Sequence, residues 1–333
     1  MRPFFLYLDD IATFLGIVSN ALLIVAVKKR TAKNFRSYGN MVLVSALIDL
    51  TYAIVIMACH HQLQFVDGAM LITSYALDPY LPVLPKLMLG SLEHFFVLEA
   101  IIILPAQYWY RYYLITNSNP ENDNMFFMAV GGTLLASSGM AVNCVLSNLA
   151  AIKKRGDDYY IRLLDPSIIH GDPKDTFASV VDMKDWESWC YIGWAGLVIN
   201  ICYCGAVYYC YKSITGIAPA LSGGLSKKAR QMKAAFTRNL IVQTTNSFVF
   251  CMLPMFIIML TMFFKFEFGR FNFCFMTLMA WAPAANGIFS LMIIRPYRKF
   301  IFRTEASSIS PTKTGGGTSR TNISVQKSSD VIH

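Results

Sequence analysis

The chain has 333 residues, of which 55% are hydrophobic and only 15% charged, and its formal net charge is +9. Its mean hydropathy is +0.45, and soluble domains are only about 45–50% apolar, so the composition favours a membrane protein. The positive charge is concentrated in loops between apolar runs. It is therefore a signal of membrane topology, and nucleic acid is excluded as the expected partner.

Seven apolar runs, numbered here spans 1 to 7 in chain order, are each near or above the about 17–25 residues that a helix needs to cross a bilayer. They cover residues 11–27, 39–59, 87–110, 125–149, 189–211, 239–264 and 271–294. Span 1 is the shortest, and residues 4–7 can extend it to the interface. The sequence therefore predicts an all-α membrane protein, a seven-transmembrane helix bundle.

The loops differ in charge on alternate sides of the bundle. The loop after span 1 and the segment after span 7 are rich in Lys and Arg, and the 4–5 loop is net acidic. Basic residues accumulate on the cytoplasmic side, so the N-terminus is expected outside and the C-terminus inside. The 5–6 loop carries no acid, and its basic residues include Lys227, Lys228 and Arg230. They suit an inner-leaflet contact, an acidic cytoplasmic partner or a plain topology anchor.

The chain divides into two regions. Residues 1–303 are expected to form one seven-helix domain. It ends in a short interfacial helix over 295–303, where the mixed basic and aromatic residues are expected to contact membrane lipid. Residues 304–333 are rich in Ser, Thr and Gly, with too few apolar residues to bury, and predict a disordered cytoplasmic tail.

Three polar residues inside the membrane lie at a similar depth. Asn20, Asp49 and Asn286 on spans 1, 2 and 7 are each roughly 12–16 Å from the cytoplasmic end at 1.5 Å per helical residue. Such groups are costly in lipid and can satisfy one another. They predict either a purely structural clasp or a site where Asp49 holds water or a sodium ion. Apart from that ion, no cofactor is expected.

Span 3 carries Glu93, His94, Glu99 and Arg111. Glu93 and Arg111 are eighteen residues apart, which is about five helical turns, so they share one helix face about 27 Å apart. Arg111 is expected at the inner mouth as a switch. Glu93 is expected at the outer mouth, either contacting a ligand or simply in water. Glu99 lies on another face and needs a partner or a proton.

The remaining motifs point away from an enzyme. Pro254 and Pro283 remove backbone hydrogen bonds and predict kinks in spans 6 and 7, which serve either as hinges or as static bends. The cysteines show no metal spacing. Glu93 and His94 are adjacent and project from different sides of the helix, so a metal site with Glu99 is not expected. We predict no catalytic residue and no metal ligand.

Several short motifs resemble those of rhodopsin-like G-protein-coupled receptors. The matches occur in the expected order on spans 1, 2, 3, 6 and 7: Asn20 in Gly-Ile-Val-Ser-Asn, Asp49, Arg111 in Tyr-Arg-Tyr, Pro254 in Cys-Met-Leu-Pro, and Asn286. The sequence also departs from that pattern. The acid before the arginine is missing, and no cysteine lies at the outer end of span 3. Cys190 is then left to pair with Cys59 or Cys274, or to stay free.

The end of span 3 at 110–112, the helix 2 stretch 46–50 and the sequence Ile-Arg-Pro-Tyr-Arg-Lys at 294–299 resemble nematode serpentine chemoreceptors of the Str superfamily, most closely class delta. The resemblance covers the chain to about residue 303. It implies an olfactory-type receptor in the plasma membrane, in the sensory cilia of neurons. It also implies an extracellular chemical or peptide-like ligand, a heterotrimeric G protein, and arrestin and a receptor kinase at the tail.

With this resemblance, the site residues fall into two groups. Glu93, His94, Trp194 and Trp281 are the expected ligand contacts, although both tryptophans also suit packing or interface anchoring. The expected switch and coupling residues are Asn20, Asp49, Arg111, Pro254, Asn286, Lys227, Lys228 and Arg230. The alternative function is a ligand-gated cation channel of inverted seven-helix topology, against which the loop charges argue.

Overall fold

The computed structural model describes residues 2–31, 35–77, 80–116, 124–165, 172–220, 227–267 and 269–302. Within them, seven helices are long and apolar enough to cross a membrane. The predicted seven-transmembrane, all-α bundle is confirmed. The proposed tail, residues 304–333, lies outside the described residues, as does Arg303 at the domain boundary.

Most helices extend beyond the apolar runs, because polar residues at their ends continue the same backbone hydrogen bonding. The helices are α1 (Arg2–Arg30), α2 (Arg36–Cys59), α3 (Val83–Thr116), α4 (Asn124–Arg155), α5 (Asp157–Leu163), α6 (Pro173–Thr176), α7 (Trp186–Ala220), α8 (Lys227–Ser247), α9 (Leu253–Phe264), α10 (Phe273–Ile293) and α11 (Arg295–Ile301). Spans 1 to 4 are α1 to α4, span 5 is α7, span 6 comprises α8, a π-helical turn and α9, and span 7 is α10.

Span 3 is the central helix of the bundle. Its most apolar window is 67% buried, against 22% for the windows of spans 4 and 5, which therefore lie at the periphery. Span 3 packs against spans 2, 4, 5 and 6, while span 1 packs against spans 2 and 7. The polar residues of span 3 thus face protein on most sides.

A three-stranded antiparallel sheet that the sequence analysis did not predict covers the outer end of the bundle. It consists of β1 (Gln62–Val66), β2 (Ala69–Thr73) and β3 (Phe177–Asp182), in that order. Asp67 and Gly68 connect β1 and β2 with φ values of 49° and 79°. Positive φ at both turn positions is the reason that Asp-Gly favours tight hairpins.

The sheet is buried on both faces because its residues alternate between two clusters. Leu63, Met70 and Ile72 pack into the main core, to which all seven spans contribute. Leu71 and Val180 point the other way, toward the end of span 4 and α5. Alternation of side chains along a strand explains the two contacts. The sheet therefore closes the bundle and lines its interior.

Ion pairs hold the sheet and the 4–5 loop to the ends of the spans. Arg155 at the end of span 4 contacts Asp182 at 2.9 Å and Asp185 at 2.8 Å. Burial opposes ionisation of Asp185, but hydrogen bonds from Arg155 and Lys154 leave its pKa below the usual value. The hydrogen bond from Lys184 likewise lowers the pKa of Asp67 in the hairpin turn. These basic residues thus pair with acidic residues of the 4–5 loop and of the hairpin turn.

Span 6 changes its helical geometry close to Pro254, and a short helix follows span 7. Residues Phe248–Met252 form a π-helical turn directly before Pro254, which lies in the first turn of α9. The hydrogen-bond pattern of span 6 is therefore interrupted where a kink was predicted. A short helix, α11, occupies the segment for which an interfacial helix was predicted, and its Tyr297 hydroxyl lies 2.9 Å from Thr31 Oγ1. Burial raises the pKa of Tyr297.

Spans 1 and 7 approach each other closely at Gly287. A Cβ atom placed there would lie 3.0 Å from Ser19 Cβ and 3.1 Å from Asn20 Cγ. Both are closer than ordinary contacts between carbon atoms, so the helix pair requires glycine at this position.

We expect Gly287→Ala to destabilise the detergent-solubilised protein by about 1–3 kcal/mol, since overpacking separates spans 1 and 7. Gly131→Ala is the matched control, because a Cβ at Gly131 meets nothing within 4 Å. Thermal unfolding measures both variants. Equal melting temperatures for the two would contradict the close packing at Gly287.

Candidate functional site

A cavity lies beneath the sheet, between spans 3, 5, 6 and 7. It contains about 610 Å³ of space not occupied by atoms, including its opening, and the centre of a water molecule can move through about 40 Å³ of that space. It is lined by His61, Leu63, Met70, Ile72, Glu93, His94, Val97, Tyr191, Ile192, Ala195, Met255, Ile258, Met259, Met262, Met276 and Met279. An apolar cavity with a few convergent polar groups is the usual form of a small-molecule site.

The two span 3 residues expected at the outer mouth both line this cavity. Glu93 is only 3% exposed, and its Oε2 is hydrogen-bonded to Nδ1 of His61, the residue preceding β1. Nδ1 of His94 donates to the Gly90 carbonyl at 2.9 Å, and its ring lies 5.9 Å from that of Tyr191. Glu93 is therefore a buried group with a protein partner, and the alternative of a carboxylate in water is wrong.

The two tryptophans lie elsewhere. Trp194 is 38% exposed, and its indole N–H donates to the Ala136 carbonyl of span 4 at 3.2 Å. Trp281 is half-buried and packs on the edge of the core. Neither occurs among the described residues that line the cavity. Their placement fits the packing alternative, because an indole needs a partner only for its N–H and otherwise behaves as a large apolar group.

Asn286 is the centre of a polar network in the middle of the bundle. Its Nδ2 donates to Asp49 at 3.3 Å, and its Oδ1 accepts from Asn246 of span 6 at 2.6 Å. Asn246 also donates to the Ala282 carbonyl at 3.1 Å. Spans 2, 6 and 7 are thus joined through one amide. Asn246 was missed in the sequence, although an asparagine within an apolar run is itself a signal.

Asn20 belongs to the same layer but does not bond to Asp49. Its Nδ2 donates to the carbonyls of Gly16 and Pro283, both at 2.9 Å, and its Oδ1 has no partner among the described residues. The predicted clasp between spans 1, 2 and 7 is therefore only partly direct. Span 1 joins through the backbone of span 7.

Arg111 is fully buried at the inner end of span 3. Its Nη2 donates to the Lys233 carbonyl at 2.9 Å and to the Thr237 hydroxyl, both on span 6. Its guanidinium lies 5.8 Å from the Tyr38 ring centroid. The arginine is thus held to span 6 by neutral groups, and its Nε and Nη1 remain without a hydrogen-bond partner among the described residues.

Polar side chains continue from Asp49 toward Arg111. Ser45 lines a small space together with Asp49, and it accepts a hydrogen bond from Gln107 at 2.5 Å. Gln107 in turn lines a second space together with Arg111. The middle and inner ends of the bundle are therefore connected through side chains of spans 2 and 3.

The other residues singled out in the sequence lie outside the cavity and the polar network. Glu99 accepts hydrogen bonds from Thr133 at 2.8 Å and Ser137 at 2.7 Å, the partners on span 4 that the sequence did not identify. The helical positions of Lys227, Lys228 and Arg230 begin α8, and their side chains lie outside the described part of the structure. Cys190 is an exposed, free thiol.

A seven-helix membrane bundle with a covered outer cavity and a buried arginine at its inner end has the architecture of a receptor. A family model described as serpentine type 7TM GPCR chemoreceptor Srd matches residues 5–303. The chain therefore belongs to the Srd family of seven-transmembrane chemoreceptors, and the predicted class is confirmed. Comparison with curated protein sequences finds no significant match.

We expect Asn286→Leu to destabilise the solubilised protein by about 2–4 kcal/mol, since Asp49 and Asn246 lose their common buried partner. Asp49→Asn should cost less than about 1 kcal/mol, because an amide oxygen can still accept from Asn286. Thermal unfolding reports both changes. Asn200→Leu is the control, as Asn200 is exposed and its side chain donates to the Gly196 carbonyl of its own helix. Equal effects of N286L and N200L would exclude the bridging role of Asn286.

Proposed function

We propose that the protein is a chemosensory receptor that binds an extracellular small molecule in the outer cavity and activates a heterotrimeric G protein. The observation that carries this proposal is the arrangement of span 3. Glu93 and His94 line the cavity at its outer end, and Arg111 is bonded to span 6 at its inner end. Family membership supports the chemoreceptor role.

The lining of the cavity favours a small, largely apolar ligand. Six methionines contribute to it: Met70, Met255, Met259, Met262, Met276 and Met279. Methionine is unbranched and adaptable, which suits a cavity that reshapes around its ligand. His61, Glu93 and His94 supply the polar contacts. The covering sheet and the narrow interior favour a small odorant over a folded peptide.

Span 6 supplies the mechanical link in this proposal. Its outer part, α9, lines the cavity through Met255, Ile258 and Met259. Its inner part, α8, holds Arg111, and the π-helical turn separates the two. A ligand that binds one position of α9 more tightly shifts the population toward that state. Movement of α8 would then release Arg111 toward the G protein.

Other parts of the proposal rest on the family and on composition. Lys227, Lys228 and Arg230 at the start of α8 are proposed to face the G protein, α11 to lie on membrane lipid, and the tail to contact arrestin and a receptor kinase. A sodium ion beside Asp49 would have side-chain oxygens of Ser45 and Asn286 nearby, since all three line one space. The proposed location is the plasma membrane of sensory cilia.

We expect Thr237→Val to raise ligand-independent G-protein activation about tenfold, because a hydrogen bond to a charged group contributes about 1.5–3 kcal/mol to the resting state. Nucleotide exchange on G proteins in membranes expressing the receptor measures this change. Thr245→Val is the matched control, because Thr245 is exposed and bonds its own helix at the Ile241 carbonyl at 3.0 Å.

Arg111→Ala should abolish G-protein activation, including the activity gained by Thr237→Val, while surface expression persists. The double variant separates release of the arginine from a general loosening of span 6. Retained signalling in R111A would remove Arg111 from the mechanism.

The proposal also requires the N-terminus outside and the C-terminus inside. An epitope at each end, stained in intact and in permeabilised cells, should show an accessible N-terminus and a hidden C-terminus. The reverse result would overturn the receptor proposal. It would favour the inverted ligand-gated channel, for which recording of ligand-evoked current is the corresponding measurement.

A further inference from the structure

Three metal-ligating side chains converge beside the outer cavity. Cys59, His61 and Glu93 are all buried, and each offers one ligand atom within 4.8 Å of the other two. Cys59 is the last residue of α2, and His61 follows His60, whose left-handed backbone ends that helix. Glu93 comes from span 3. The cluster thus depends on the fold, and only its Cys-x-His part is visible in the sequence.

The set of donors matches the chemistry of zinc. Thiolate, imidazole and carboxylate are the three protein ligand types that bind Zn²⁺, and sites that keep an open position use three of them. Tetrahedral coordination at ordinary Zn–S, Zn–N and Zn–O distances separates the donors by about 3.3–3.6 Å. The widest donor separation, at most 4.8 Å, exceeds these values by about 1 Å. The hydrogen-bonded pair His61 Nδ1 and Glu93 Oε2 must instead move apart to admit the metal, and side-chain rotation can supply both changes.

The surroundings of the cluster hold its members in place. The His61 ring packs beside Gly90 of span 3, where a Cβ would be in ordinary contact, 3.4 Å from His61 Cε1. Ser74 donates a hydrogen bond to the Cys59 carbonyl, which fixes the end of span 2 against the strand β2. The Cys59 thiol lies 3.8 Å from the Leu89 carbonyl, on the side of span 3. Such outer contacts orient ligands in metal sites.

We propose that Cys59, His61 and Glu93 form a Zn²⁺ site whose open coordination position faces the outer cavity. His61 and Glu93 line that cavity, so a metal held between them borders the same space. The open position would bind a thiol, amine or carboxylate group of a cavity ligand. This role in ligand recognition rests on the proposed receptor function, whereas metal binding itself does not.

The test uses the full-length receptor, purified in detergent and stripped with a chelator. Titration with Co²⁺ should produce a thiolate-to-metal charge-transfer absorption with a stoichiometry of one ion per receptor, and Zn²⁺ should remove it by displacement. Cys59→Ser and His61→Ala should abolish the absorption, and both should weaken Zn²⁺ binding at least about 100-fold, since loss of outer contacts alone costs 10–100-fold. Glu93→Gln should also weaken it.

Two matched variants test whether another histidine or another thiol of the receptor binds the metal instead. His60→Ala removes the imidazole next to His61 in the chain; His60 itself contacts Asp10 at 3.2 Å. Cys190→Ala removes an exposed thiol. Both should retain the absorption. Absence of a thiolate absorption in the unmodified receptor would overturn the proposal without reference to any variant. If the thiolate absorption persisted in C59S and disappeared in C190A, the metal would be bound elsewhere and the proposal would be overturned.

The open position has its own measurement. Ethanethiol added to the Co²⁺-loaded receptor should shift the visible absorption of the metal, because an added ligand changes its coordination. An unchanged spectrum would exclude an open position toward the cavity. Neither measurement depends on a G protein or on receptor activation. Failure of metal binding is therefore distinguishable from failure of the proposed receptor function.

Discussion

The arrangement of this bundle depends on one constraint, which is that polar side chains within the membrane have no water to replace a missing partner. Such a group is stabilised where a neighbouring helix supplies its partner, although Arg111 and Asn20 keep atoms without one among the described residues. Asn286 joins spans 2, 6 and 7 through Asp49 and Asn246, and Glu99 joins span 3 to span 4 through Thr133 and Ser137. Apolar packing permits many helix orientations in lipid. These few bonds select one, since any other rotation would leave a buried polar group unsatisfied.

The same constraint gives span 3 its central place. A helix with polar residues on several faces cannot expose them to lipid, so it is surrounded by other helices, as the burial of its apolar window indicates. Its ends then meet different environments. The outer end faces a cavity under the sheet, and the inner end meets span 6. Span 6 touches both ends but is interrupted at Phe248–Met252, where a π-helical turn weakens the regular hydrogen bonding. Its two halves can therefore differ in mobility.

The sequence predicted those features that depend on local pattern. Apolar length identified the spans, and helix periodicity placed Glu93 and Arg111 on one helix face, without showing that Glu93 is buried. The partners His61, Asn246 and Thr237 could not be predicted, because they depend on helix rotation, which hydropathy does not define. The β1–β2 hairpin also has a local signal, since Asp67-Gly68 lies between two short β-prone runs, but it was not predicted. Trp194 shows a further limit, since its aromatic character suits a ligand contact and a helix contact equally well.

Because no acidic residue precedes Arg111, the arginine is held by neutral groups rather than by an ion pair with that residue. A buried ion pair is strongly held, because separating it leaves an uncompensated charge. Here the arginine is held by a carbonyl and a hydroxyl of span 6 and lies over Tyr38, all of which are neutral. In the proposed switch, release would therefore leave no stranded carboxylate, and Arg111 could donate to a new partner through Nε and Nη1. The balance between the proposed resting and active states would then be set by the position of span 6, the helix that also lines the outer cavity.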